Sequence, residues 1–136
     1  MFEDFEIVST YTRAQAIADG VLVDLDALMR QFDPPMQSPF KHPIAMSAAA
    51  FEKLVAWSEE DNDRLGEVQD VAGRLWDVLW MALVAARRAA GGSHVSFQVS
   101  VIDRECGRRE EVELVMTCGP GDTPAPVLTI MLPNED

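Results

Sequence analysis

The stretch Asp70-Val-Ala-Gly-Arg-Leu-Trp-Asp-Val-Leu-Trp-Met-Ala-Leu-Val-Ala-Ala-Arg-Arg-Ala-Ala-Gly-Gly92 is the longest uninterrupted helical signal in the chain. Val71, Leu75, Val78, Leu79, Ala82, Ala86 and Ala89 recur at spacings of three and four, which places them on one helix face. Ala, Leu, Met and Arg are strong helix formers. Arg87 and Arg88 fall in the last turn, where they oppose the negative end of the helix dipole. Gly91-Gly92 supplies the positive-φ stop. Trp76 and Leu83 widen the apolar arc, and Trp80, Met81 and Val84 extend it further. Only Gly73, Arg74, Asp77, Arg87 and Arg88 remain as a thin non-apolar strip. So apolar a helix is expected to be covered on more than one side. Trp80, Met81 and Val84 are therefore expected beneath the N-terminal helices; exposed, they would form a dimer or partner face.

Downstream the period changes to two. Val95, Phe97, Val99 and Val101 alternate with Ser96, Gln98 and Ser100, as in a half-buried strand. Asp103 to Arg109, with Gly107, reads as a hairpin turn. Val112, Leu114, Met116 and Cys118 form the inward face of the returning strand, with Glu111, Glu113 and Thr117 on the other. Gly119-Pro-Gly-Asp122 reads as a type II turn with Gly121 at φ > 0. Val127 to Leu132 is the third strand.

Upstream, Phe2 to Ser9 reads as a short strand or extended arm. Thr12-Arg-Ala-Gln15 fits a capping box, with a helix from Arg13 to Asp19 stopped by Gly20. Val21-Leu-Val23 is an extended link or single strand. Asp24 caps a second helix carrying Leu25, Leu28, Met29 and Phe32 on one face, and Asp33-Pro34-Pro35 ends it. Residues 33 to 43 hold four of the eight prolines and form a stiff connector, anchored by Phe40 and Ile44. Ser47 caps a third helix reaching to about Ser58. Glu59 to Asp63 reads as a solvated acidic turn.

The predicted architecture is α+β: a central helix and about three shorter ones packed on a three-stranded antiparallel sheet. The 136 residues suit one domain, with residues 1–69 helical and extended, 70–92 the central helix and 94–133 the sheet. The acidic start lacks the basic region of a signal peptide, and no apolar run is long enough to span a bilayer. A cytoplasmic protein is expected.

Charge is the most distinctive bulk property. Eleven Lys and Arg face 23 Asp and Glu, for a net charge of −12. Direct binding to nucleic acid needs cations to neutralise phosphates, so this balance argues against it. It suits either plain solubility or a partner with a basic surface.

Chemical motifs are sparse. A calcium loop starting at Asp61 would have Asp63 and Gly66 in place, but Leu65 and Ala72 stand where oxygen ligands are required. His42, His94, Cys106 and Cys118 lack zinc-ligand spacing. The hairpin separates the two cysteines by roughly 30 Å, too far for a disulfide. His94 and Cys118 could be neighbours across strands, without an evident orienting group. Gly119 to Thr123 has neither the lysine nor the following helix of a phosphate loop. No cofactor is expected. The acids Glu59, Glu60, Asp61, Asp63, Glu111 and Glu113 are the candidate protein-binding set, with Trp80, Met81 and Val84 as the alternative apolar interface.

Tyr11-Thr-Arg-Ala-Gln-Ala-Ile-Ala-Asp-Gly-Val-Leu-Val-Asp24, Gly73-Arg-Leu-Trp-Asp-Val-Leu-Trp-Met81, and Cys118 through Pro133 together resemble a family of small uncharacterised proteins carried by phages, plasmids and other mobile elements. That resemblance transfers no catalytic residue. It implies a context in which small acidic proteins inhibit host defence, including the nucleic-acid-binding complexes of CRISPR immunity. The expectation is a non-enzymatic inhibitor of the anti-CRISPR or other anti-defence kind, whose acids occupy a basic groove of a host protein. Two alternatives stand beside it. One is a small enzyme or an accessory factor for plasmid or phage replication or transfer, marked by a pocket of raised-pKa carboxylates or by His94 and Cys118. The other is a homodimeric structural protein.

Overall fold

A computed structural model describes residues 11–89 and 91–135; the arm read over Phe2 to Ser9 lies outside them. The chain runs α1 (Arg13–Ala18), β1 (Leu22–Asp24), α2 (Leu25–Gln31), β2 (Ile44–Ser47), α3 (Ala48–Leu54), α4 (Glu59–Leu65), α5 (Val71–Ala89), β3 (His94–Ile102), β4 (Arg109–Pro120) and β5 (Pro126–Met131). The class is α+β, with five helices and five strands among the described residues.

The expected caps are in place. Thr12 Oγ1 accepts from the Gln15 N–H at 3.0 Å, and Gln15 Oε1 accepts from the Thr12 N–H at 2.9 Å. Asp24 and Ser47 cap α2 and α3 through the N–H groups of Ala27 and Ala50. Gly20 and Gly107 have φ of 79° and 74°, conformations that non-glycine residues seldom adopt.

The sheet is larger than three antiparallel strands. Its order is β1-β2-β5-β4-β3, five strands in all. The antiparallel set β3, β4 and β5 is present as expected, but β2 pairs parallel with β5, matching Ile44 with Leu128 and Met46 with Ile130. Strand β1 then pairs antiparallel with β2. These two strands have three and four residues, and all four of β2 are buried. A strand covered on both faces shows no alternation, so β2 looks like an anchor followed by a cap. The sheet's inward residues, Phe97, Val99, Val101, Val112, Leu114, Met116, Leu128 and Ile130, join Leu75, Val78, Leu79 and Ala82 of α5 in one core. Helix α5 lies chiefly over β3.

The expected helix from Ser47 to about Ser58 ends at Leu54, and a separate helix, α4, follows. Glu59 to Asp63 is thus the body of a helix rather than a turn. Ser58 and Asp61 form a reciprocal capping box, the acids Glu59, Glu60 and Asp61 fill the first turn, and Gly66 closes the helix in the left-handed conformation.

The stretch after Cys118 also differs from expectation. Strand β4 continues through Pro120, and Gly121 is not among the glycines with positive φ. Glycine is needed there for space, because a Cβ would sit 2.9 Å from Val127 Cγ1. Next to it, the Asp122 carboxylate accepts from the N–H groups of Arg13 and Ala14 at 2.7 and 3.0 Å and caps α1 from across the chain. The Arg13 guanidinium reaches Thr129 Oγ1 and the Leu128 carbonyl, pinning α1 to β5.

Candidate functional site

The six candidate acids fall into three environments. Glu59, Glu60 and Asp63 are exposed on α4. Glu111 and Glu113 are exposed on the outward side of β4, opposite Ser100 and Gln98. Asp61 belongs to neither group. Its side chain is only 8% exposed, and it pairs with Arg64 at 2.7 Å and Arg104 at 2.8 Å while accepting from the Ser58 N–H. Asp61 is a structural hub, buried where the other five candidate acids are exposed. The Arg64 hydrogen bond, aided by those from Ser58, lowers its carboxyl pKa to about 2.

The molecule's cations are drawn into similar duties. Arg104 also holds Glu52, and Lys53 bridges Asp103 and Glu110 at 3.5 and 2.9 Å. Arg74, placed by the sequence on the polar strip of the central helix, is 4% exposed. It donates to the Val55 and Ile102 carbonyls and to Gln69 Oε1, and stacks 4.5 Å over the ring of Trp57. Burial lowers its pKa, but guanidinium remains charged. Among the described residues, Glu59, Glu60, Asp63, Glu111 and Glu113 make no ion pair.

The start of α5 adds acids that the sequence did not single out. Asp70 caps the helix through the Gly73 N–H at 2.7 Å. Asp70, Asp77 and Glu59 line one shallow hollow with Val68, whose side chain is almost wholly exposed at 97%. Asp70 and Asp77 are seven residues apart, two turns along one side of α5, and Glu59 joins them from α4; Arg74 lines the same hollow.

The tryptophans are where they were not expected. Trp76 is 39%, Trp80 47% and Met81 38% exposed, with Val84 half-buried beside them. The two indoles stack with centroids 6.2 Å apart. The N-terminal elements pack instead around β1, β2 and β5, leaving the outer side of α5 uncovered among the described residues.

His94 and Cys118 do meet. Both line a hollow of about 190 Å³ with His42, Phe40, Ala86 and Met116. No carboxylate lines it, and no side-chain hydrogen bond joins the histidines to the thiol among the described residues. Both cysteines are free thiols. The shifted carboxylates, Asp61 and Asp103, both move down, the latter chiefly through the Glu105 N–H, away from the range of a general acid. Among the described residues no three His, Cys, Asp or Glu side chains are grouped to hold a metal ion, and no helix is long and apolar enough to cross a membrane.

Among the described residues the candidate acids and the tryptophans of α5 thus form surface patches. No curated protein matches the chain, and no solved structure does. The model of a family of unknown function, DUF6573, matches residues 1–136 from end to end, and the chain belongs to that family.

Proposed function

We propose that this chain is a non-enzymatic binding protein whose acidic corner, formed by α4 and the start of α5, engages a basic surface on another protein. The carrying observation is the convergence of Glu59, Asp70 and Asp77 on one hollow, beside Glu60 and Asp63 on the same short helix. Arg64 and Arg104 are turned to Asp61, Glu52 and backbone carbonyls, and Arg74, which lines the hollow, sets one positive charge against its three carboxylates. Exposed Val68 gives the patch an apolar contact. Carboxylates around an apolar spot suit lysines and arginines that would otherwise hold phosphates. On this reading the partner is a host nucleic-acid-binding protein. The chain blocks its groove without touching nucleic acid, as an inhibitor carried by a mobile element would, an anti-CRISPR protein among them.

The test is capture from a host lysate by the wild-type chain and by two folded variants, Glu60→Lys/Asp63→Lys and Glu111→Lys/Glu113→Lys. The first variant and high salt should each reduce recovery of the partner at least tenfold, while the second has a smaller effect. Equal recovery by wild type and the first variant, or salt-independent recovery, sinks the proposal.

A further inference from the structure

The outer side of α5 carries a second pattern. Gly73, Asp77, Trp80, Val84 and Arg87 follow one another at spacings of four, three, four and three. Those spacings set the five along one outward-facing seam of the helix, with Trp80 and Val84 as its apolar members. Gly73, Asp77, Trp80 and Arg87 are exposed and Val84 is half-buried. Trp76 stacks on Trp80, so the Trp80 indole is held on the seam by its neighbour rather than swinging freely.

We propose that this seam is the interface of a two-fold dimer, with α5 of one copy antiparallel to α5 of a second. The occupant follows from the pattern itself. Reverse the helix against itself about a point midway between Trp80 and Val84, and Trp80 of each copy meets Val84 of the other, large against small. In the same register Asp77 meets Arg87, acid against base. The seam is thus complementary to its own reverse, which is what a two-fold contact requires.

Charge favours the same occupant. Two molecules of net charge −12 repel over most of their surfaces. This face sets Arg87 and Arg88 against Asp77, with Glu111 beside Arg88 at its edge, so cations and carboxylates balance here and it is the side on which two copies can approach. The four layers span about 15 Å of helix, which makes the contact small and the dimer concentration-dependent. Asp77 belongs both to this seam and to the acidic corner of the reading above; pairing it with Arg87 leaves Glu59, Glu60, Asp63 and Asp70 as the part of that corner outside the contact.

The experiment is sedimentation equilibrium of the full chain from low to high micromolar concentration. The wild type should pass from the mass of one chain to that of two, with a blue shift of tryptophan emission. Trp80→Glu should abolish the shift in mass while leaving circular dichroism and thermal unfolding of the monomer near wild type. Asp77→Arg and Arg87→Asp should each be monomeric alone, by like-charge contact repeated twice. Mixed in equal amounts they should form a heterodimer, because each then restores the other's pair. A wild type that stays monomeric at high micromolar concentration overturns the proposal, whether the face is taken by another protein or by the chain's own first ten residues. A dimer that survives Trp80→Glu places the contact elsewhere and overturns it too. Single variants that fail to pair when mixed overturn the antiparallel register.

Discussion

Asp61 and Arg74 are the charged side chains the fold takes inside among the described residues, and both look ordinary in the sequence. One sits in an acidic run, the other on a mostly apolar helix. What distinguishes them is the company that the tertiary structure provides: two guanidinium groups and a capped helix end for Asp61, three carbonyls and an indole for Arg74. Residue type and spacing report neither, since a charge in the core is tolerated only when its partners are in place. For Asp61 this has a pH signature. Its carboxyl titrates at about 2 in the fold, against about 3.9 in an unfolded chain. The stabilisation from its ion pairs is then fully present above pH of about 4 and disappears as pH falls through about 2. Thermal unfolding followed by circular dichroism should show a melting temperature that drops over that window. Asp61→Asn should lower the melting temperature at neutral pH and flatten the acid slope. An acid slope identical in wild type and variant would remove Asp61 from its cause.

At the scale of elements, α4 separates what patterning can read from what it cannot. Its seven residues contain a single large apolar side chain, Leu65, and its buried position is the carboxylate of Asp61. Hydrophobic period is silent on such a helix. The signals available were its ends: Ser58 followed three residues later by Asp61, and Gly66 after the last turn. Loss of the cap should therefore matter more here than in a helix held by packing. Ser58→Ala is expected to cost about 1 kcal/mol in urea unfolding and to speed amide exchange over residues 59–65 selectively. Exchange that rises uniformly along the chain instead would mean that α4 has no separate dependence on its cap. The contrast with α5 and the three C-terminal strands is physical. Those elements bury one face and expose the other over nine or more residues in α5, β3 and β4, so period alone locates them. Strands β1 and β2 are too short to display a period, and the parallel pairing of β2 with β5 joins segments separated by the entire middle of the chain. The central helix itself was legible while its surroundings were not. Composition declares how much apolar surface α5 has, but not whether neighbouring elements arrive to cover it.

At the scale of the whole molecule, the fold sharpens the charge imbalance that composition announces. Of the 11 Lys and Arg, Arg13, Lys53, Arg64, Arg74, Arg104 and Arg109 are bound to carboxylates, hydroxyls or backbone carbonyls of this same chain. The acids that remain on α4, on the start of α5 and on the outward side of β4 therefore face solvent with little cationic relief. Compact folding holds these like charges closer together than an unfolded chain does, so their repulsion works against the native state. Salt screens that repulsion: the Debye length falls from about 30 Å at 0.01 M to about 8 Å at 0.15 M. The ion pairs around Asp61 are shielded from solvent and lose less. Raising sodium chloride over that range at neutral pH should raise the melting temperature by a few degrees and then level off. The measurement is best made at low micromolar concentration, so that self-association adds nothing. Glu60→Lys/Asp63→Lys should show a smaller rise, because it relieves the patch directly. A melting temperature that falls with added salt would mean that attraction, not repulsion, dominates the surface. The exposed acids would then have cation partners in solution, and their availability to a basic protein would be lost with them.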